Sequence, residues 1–304
     1  MRTGTGRKLI QICIAAARNE AIRSARPAGF RAKIRRRLYA LICYHTLVED
    51  FMVIESTRNE LIRSARELSG RKARLEQGLH FIEGEKLIRE AVISGAEFSH
   101  AFIEEGHELL KAVLEGSGAC VHMVKRRVME SLTQTNTPQW VAATVRTPDT
   151  SVPDHYPEGL IIALDGIQDP GNVGAVIRTA DALGAAGILL GEGCADPFAP
   201  KPVRASAGSV YHLPIWEGQL ETQLDRLSGS GYTLICGHLH GESSLPIIGR
   251  SCALIIGNEG SGVSDSVAAK CVKYRLPMYG LAESLNVSVA AGIMIYELAR
   301  KLRD

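Results

Sequence analysis

The chain has 304 residues, of which 45% are hydrophobic and 22% charged, with 30 glycines, 12 prolines and a formal net charge of +2. That profile excludes a disordered, collagenous or coiled-coil protein, and at about 100–200 residues per domain it predicts two domains. The longest apolar runs, Leu160–Leu164 and Ile188–Leu190, stop at Asp or Gly, well short of the ~18 residues a spanning helix needs, so an integral membrane protein is excluded.

Seven cysteines without a CxxC pair predict reduced thiols in a cytosolic compartment and no metal site. Charge is uneven. Residues 1–51 hold 11 Lys/Arg against 3 acids, leaving 24 bases and 30 acids in the rest. The body is therefore mildly acidic, and contact with nucleic acid must come from local clusters. One such cluster is Arg58, Arg63, Arg66, Arg71, Lys72 and Arg74. Taken alone it reads as a solvated helix face. The Arg-rich opening with the apolar patch Leu38–Cys43 is open to three readings: an organellar transit segment, a membrane-surface helix, or upstream sequence before a start at Met52.

From Met52 the periodicity becomes regular. It predicts a helix over Thr57–Leu68 opened by Ser56 or Thr57, a strand Leu79–Ile82, a helix Gly84–Ser94 and a strand Ala101–Ile103. A helix His107–Leu114, a strand Val121–Val124, a helix Lys125–Leu132 and a strand Trp140–Val145 follow. These make a small α/β unit over 52–146, closed by a linker over 147–159 that carries Pro148, Pro153 and Pro157. The second unit, 160–304, has longer apolar strands at Leu160–Leu164, Gly187–Leu190, Thr233–Cys236 and Ala253–Ile256, and a short one at Tyr274–Leu276. Such strands between helices predict a mainly parallel sheet covered on both faces, with ligands bound at its carboxyl ends.

Three loops fall there. The first, Asp165-Gly-Ile-Gln-Asp-Pro-Gly-Asn-Val-Gly174, opens a helix that contains Arg178; read alone, it is as well explained by a cap and a surface arginine as by a site. The second, Gly257-Asn-Glu-Gly-Ser-Gly262, allows close backbone approach but is neither a dinucleotide fingerprint nor a phosphate loop. Its Glu259 could cap a helix or orient a catalytic partner. In the third, Leu276 to Ala290, Ser284 is the candidate N-cap, and Asn286 is expected inside the first turn, buried and in need of partners. The helix Leu285–Leu302 is apolar around most of its circumference, which predicts burial on two sides: the sheet and a second subunit.

In this order the loops resemble the SpoU (TrmH-like) family of SPOUT RNA methyltransferases, which move a methyl group from S-adenosylmethionine to a ribose 2′-hydroxyl. The likeness is carried by Asn172, Gly174 and Arg178, then Gly257, Glu259 and Gly262, then Pro277, Ser284, Leu285, Asn286 and Val287. The stretch Arg71–Lys86 is similar to the family's small substrate-binding domain, which grips folded RNA and normally begins where Met52 stands here. The resemblance thus implies an α/β protein with a C-terminal parallel-sheet domain containing a trefoil knot, preceded by a small α/β RNA-binding domain. It also implies a homodimer formed through the C-terminal helix region, working in the cytoplasm, or in an organelle if residues 1–51 are a transit segment.

By the same resemblance Gly257, Leu276, Met278 and Leu285 would hold the methyl donor, and Asn172, Arg178, Glu259, Ser284 and Asn286 would be catalytic. A guanidinium with a pKa above ~12 is a poor base at neutral pH. Arg178 is therefore expected to stabilise the developing ribose alkoxide while the proton leaves to phosphate or water, held in place by Glu259 and Asn172. Lys201 and Arg204, with Arg58, Arg71 and Arg74, become candidate RNA contacts. Large-subunit ribosomal RNA is the leading substrate and transfer RNA the second. A non-catalytic RNA-binding or ribosome assembly factor, or an enzyme acting on a small molecule, are the readings from other classes.

Overall fold

The computed structural model describes residues 53–133 and 137–304. The basic extension over 1–51 and the proposed start at Met52 lie outside the described residues.

Two sheets organise the chain. The first has the order β1-β4-β2-β3, with β1 at Leu79–Glu83, β2 at Phe98–Glu104, β3 at Cys120–Val124 and β4 at Val141–Arg146. β4 runs antiparallel to both neighbours and β2 pairs β3 in parallel. Alternation sorts the side chains. Phe81, Phe102, Val124 and Ala142 meet Ile62, Ala65 and Leu68 of the first helical segment, where α1 spans Glu60–Glu67, and Val128 and Met129 of a later helix, Arg126–Leu132. Ile82, Ile103 and Ala143 on the opposite face meet Leu87 and Ile88 of α3, Glu85–Ile93. Between α1 and β1 lies α2, Arg71–Gln77, a helix the periodicity did not predict. α1 opens at Asn59, whose side chain accepts from the Leu61 amide, rather than at Ser56 or Thr57.

The second sheet is parallel throughout, ordered β10-β8-β9-β5-β6-β7. Its strands are β5 Leu160–Asp165, β6 Gly187–Leu190, β7 Ile215–Glu217, β8 Thr233–Glu242, β9 Cys252–Gly257 and β10 Val272–Tyr274. The expected strand Tyr274–Leu276 lies earlier, at Val272–Tyr274; Arg275 makes a last amide bond to Glu242 of β8, and Pro277, which has no amide to donate, follows. Ile162, Leu164, Leu254 and Ile256 pack on α6, Pro170–Ala182, and on the C-terminal helix α10, Val287–Lys301. Ile161, Ala163, Ala253 and Ile255 pack on Leu220, Leu224 and Leu227 of α8, Leu220–Gly229. Burial on both faces explains the unbroken apolar strands. No helix of the described residues is long and apolar enough to cross a membrane.

The two sheets are joined by more than the linker. One apolar cluster runs from Ile82 and Leu87 into Val203 and Val210. Four polar ties cross with it: Arg74 to Asp196, Arg71 with Glu217 at 3.8 Å, His80 Nε2 to the Tyr211 hydroxyl at 2.7 Å, and His212 with Glu90 at 3.8 Å.

Candidate functional site

The loops after β5, β9 and β10 meet at the carboxyl edge of the second sheet. Asp169 and Pro170 start α6 by a standard combination: the Asp169 carboxylate accepts from the Asn172 amide at 2.9 Å, and proline occupies the first helical turn. The second loop is held by Asn258, which donates to the Gly166 carbonyl at 2.7 Å and accepts from the Gly260 amide at 2.9 Å. Gly257 is required for a reason other than ligand approach. A Cβ there would lie 2.1 Å from the backbone of Gly262 and Val263, so the loop can fold back on itself only over a glycine.

These loops bring three distant side chains into one chain of hydrogen bonds. Asn286 donates from Nδ2 to Asn172 Oδ1 at 3.3 Å, and Asn172 donates from Nδ2 to Glu259 Oε1 at 2.9 Å. Burial pushes the Glu259 carboxyl up, but the hydrogen bond from Asn172 and backbone amides at Glu259, Asp169 and Gln168 outweigh it and hold it below the usual range. Glu259 is thus an anionic terminus for two oriented amides.

Several expected placements are corrected. The N-cap of α10 is Asn286, not Ser284, since Asn286 Oδ1 accepts from the Ser288 amide at 2.9 Å and the Val289 amide at 3.4 Å. Asn286 is exposed rather than buried, and its partners are the helix end and Asn172. Ser284 makes no hydrogen bond among the described residues. Arg178 is not held by Glu259 and Asn172, which bond each other instead. It is exposed on α6, six residues beyond Asn172, so about 9 Å along the axis and about 240° around it. Its neighbour Thr179 packs against Gly292 of α10.

The basic candidates also separate. Arg74 is not on an RNA-facing surface: only 6% exposed, it donates to Asp196 at 2.7 Å and to the Leu68 and Ser69 carbonyls. Its guanidinium is consumed by the junction between the sheets. Lys201, on α7 at Pro200–Ser206, bonds Asp169 Oδ2 at 2.9 Å and, with the Asn172 amide, pulls that carboxyl below its usual range. Arg204 and Arg58 are exposed, and Arg71 lies 3.8 Å from Glu217.

Sequence reasoning missed Asp169 and Asn258. The Asp-Pro step was a readable cap signal; Asn258, which holds two loops together, left no periodic or compositional trace.

The third loop has the chemistry to receive S-adenosylmethionine. No backbone group from Leu276 to Leu285 makes a hydrogen bond among the described residues, while Met278 and Leu281 are exposed beside those free amides and carbonyls. A flat adenine edge needs one donor and one acceptor, which such a backbone supplies, and the apolar side chains suit the rest of the donor.

The comparisons with known proteins give the class: RNA methyltransferases of the SPOUT type. Residues 159–296 match the SpoU rRNA Methylase family and residues 59–143 an MRM3-like substrate binding domain, and the chain belongs to that SpoU family. It is 34% identical over 248 residues to the 23S rRNA (guanosine(2553)-2′-O)-methyltransferase RlmP of Bacillus subtilis, covering 81% of this chain and 98% of the relative. An AdoMet-bound rRNA methyltransferase from Sinorhizobium meliloti superposes with a TM-score of 0.75 at 31% identity, over 84% of this chain and 99% of that one. The SpoU methyltransferase AviRb from Streptomyces viridochromogenes, in complex with AdoMet, gives 0.70 at 29% identity over 80% and 98%. The chain is accordingly an S-adenosylmethionine-dependent RNA methyltransferase.

Proposed function

We propose that this protein methylates a ribose 2′-hydroxyl in large-subunit ribosomal RNA. The observation that carries the reading is the Asn286–Asn172–Glu259 relay beside the loop of free backbone groups at Leu276–Leu285. When bound, S-adenosylmethionine supplies an electrophilic methyl group; backbone at Gly257, Leu276 and Leu285, with Met278, would hold it. The chain's own part is chiefly positioning. The relay fixes the amide of Asn172 with one donor spent on Glu259, and Ser284 and Asn286 would hydrogen-bond the ribose. Arg178, which has no hydrogen bond or ion pair among the described residues, is available for the alkoxide and the adjacent phosphate, while the proton leaves to phosphate oxygen or water.

The separation of Arg178 from the relay is accounted for by a homodimer. Val289, Ile293 and Tyr296 form an exposed apolar stripe on α10, 50%, 40% and 56% exposed, beside the Thr179–Gly292 contact. A second copy on this stripe would set one copy's Arg178 at the other's relay. The small α/β domain over 52–146, the linker 147–159 and the catalytic domain 160–304 divide the work of gripping RNA and moving the methyl, with Arg58, Arg71, Lys201 and Arg204 on the RNA side. A knotted C-terminal region is carried by the family likeness. A cytoplasmic location goes with the ribosomal substrate.

Comparing ribose methylation across large-subunit ribosomal RNA from cells with and without the gene tests the substrate. One nucleotide should lose its methyl group in the deletion; an unchanged ribosomal map with a lost transfer RNA methylation would assign the second substrate instead.

A further inference from the structure

Beside the junction of the two sheets lies a cavity of about 620 Å³ that the mechanism does not use, within the roughly 300–1,000 Å³ of small-ligand sites. Lys86 and Arg89 of α3 and Trp140 before β4 line it from the small domain, and Arg204 of α7 lines it from the catalytic domain. The carboxylates in its wall are Glu83 and Glu85. Glu83 accepts from the Gln139 amide at 3.3 Å, and Glu85 bonds Arg89 at 2.6 Å. Lys86 and Arg204 have neither an ion pair nor a side-chain hydrogen bond among the described residues. Two cations from two domains therefore face one space with no carboxylate assigned to them, an arrangement an anion would relieve.

The cavity is built rather than incidental. Glu90, one helical turn beyond Lys86, packs against Gly208 so closely that a Cβ there would lie 2.8 Å from Glu90 Cβ, and the same Glu90 approaches His212. The domains are thus fixed to each other one turn from the opening. Trp140 is fixed as well: it packs against the apolar core and His107 stacks on its indole, with centroids 4.8 Å apart and planes 14° from parallel, while the same side chain lines the cavity. α7 links this space to the reaction site, because Lys201 at its start bonds Asp169, the residue that caps Asn172's helix, and Arg204 follows on the same face one turn later. Cations that grip phosphate beside an aromatic platform form a common way of holding an unstacked nucleotide.

We propose that this cavity binds a single unpaired nucleotide of the RNA substrate close to the one that is methylated, with Lys86 and Arg204 on its phosphate and its base stacked on Trp140. The inference rests on the methyltransferase reading and adds a recognition subsite to it.

The test uses the full-length protein, S-adenosylmethionine and a transcribed large-subunit ribosomal RNA, with a 4-thiouridine-substituted transcript for crosslinking. Lys86→Glu combined with Arg204→Glu, and separately Trp140→Ala, should each raise KM for RNA roughly tenfold with kcat within about twofold and unchanged affinity for the methyl donor. Trp140→Ala alters no charge, so a general loss of attraction for RNA cannot produce its effect. Trp140→Phe, which keeps a stacking ring and guards against misfolding, should stay within about twofold of wild type. Crosslinked peptides should include Trp140 or Lys86. Wild-type KM in the double variant and in Trp140→Ala, or crosslinks that avoid both segments while the wild type methylates the transcript, would overturn the subsite alone. A wild type that neither binds nor methylates the transcript would overturn the ribosomal-RNA reading, and the subsite with it.

Discussion

Asn286 caps the last helix with its side-chain oxygen and, with the nitrogen of the same amide, donates to Asn172 at 3.3 Å. The cap sets the polarity of the whole relay. Because Oδ1 must face the helix amides, Nδ2 must face Asn172, whose amide then turns its own nitrogen to Glu259. A stability element and a proposed catalytic element share one side chain.

The two roles separate in Asn286→Asp. Aspartate is as good an N-cap, so the thermal midpoint should stay near wild type, yet the donor to Asn172 is gone and kcat should fall about 10- to 100-fold. Asn286→Ala should lose the activity and also about 1 kcal/mol of stability. Thermal unfolding and single-turnover methylation on the same preparations check both.

Acid should break the relay at Glu259. Its folded carboxyl titrates below the ordinary range, so the link contributes fully above that range and is lost as pH falls through the folded value. Asn172→Ala removes the largest of the interactions that hold it down and should raise the Glu259 pKa, which carboxyl carbon NMR across an acid titration measures.

If Arg178 serves the neighbouring copy's relay, two inactive variants should rescue each other. Arg178→Ala and Asn172→Ala, each expected to lose about 100-fold or more in kcat, should regain about a quarter of wild-type activity when subunits are mixed and exchanged, the share of sites that a random pairing leaves intact. Ile293→Asp should give a monomer by light scattering and abolish the rescue. Arg178→Lys keeps the charge but not the planar fork and should remain well below wild type.

The junction between the sheets should fail in mild acid. His80 is completely buried between Thr147 and Tyr211, and burial pushes its pKa from 6.5 down to about 3, with smaller opposing effects of Asp196 and Arg74. The unfolded imidazole binds a proton that the folded one refuses, so stability is full above pH 6.5 and declines as pH falls towards 3. Urea midpoints across that range should fall for wild type and flatten for His80→Gln. At neutral pH, Arg74→Ala should cost about 3 kcal/mol, the lower end of the range for a buried pair, since it leaves the partly buried Asp196 without its counter-charge.

The covered sheet was legible because strands such as Leu160–Asp165, buried on both faces, read as continuous apolar runs. Three short elements were not: β7 has three residues, and α2 and α7, seven each, are rich in Arg, Lys and Pro and carry too few apolar positions to show a period. Of the site, Asn172, Glu259 and Asn286 were recognisable, but their connection depends on which residue caps α10, a choice between Ser284 and Asn286 that hydrophobic spacing does not make. Arg74 was read as one of six similar cations because its burial depends on Asp196, 122 residues away.

The most direct measurement supplies the pure protein with methyl-labelled S-adenosylmethionine and large-subunit ribosomal RNA lacking its own modification, then digests the RNA with alkali. The account predicts label in a single alkali-resistant dinucleotide, since a methylated 2′-oxygen cannot attack the adjoining phosphate, and no label with Asn172→Ala. Label recovered only in mononucleotides would place the methyl on a base and contradict it.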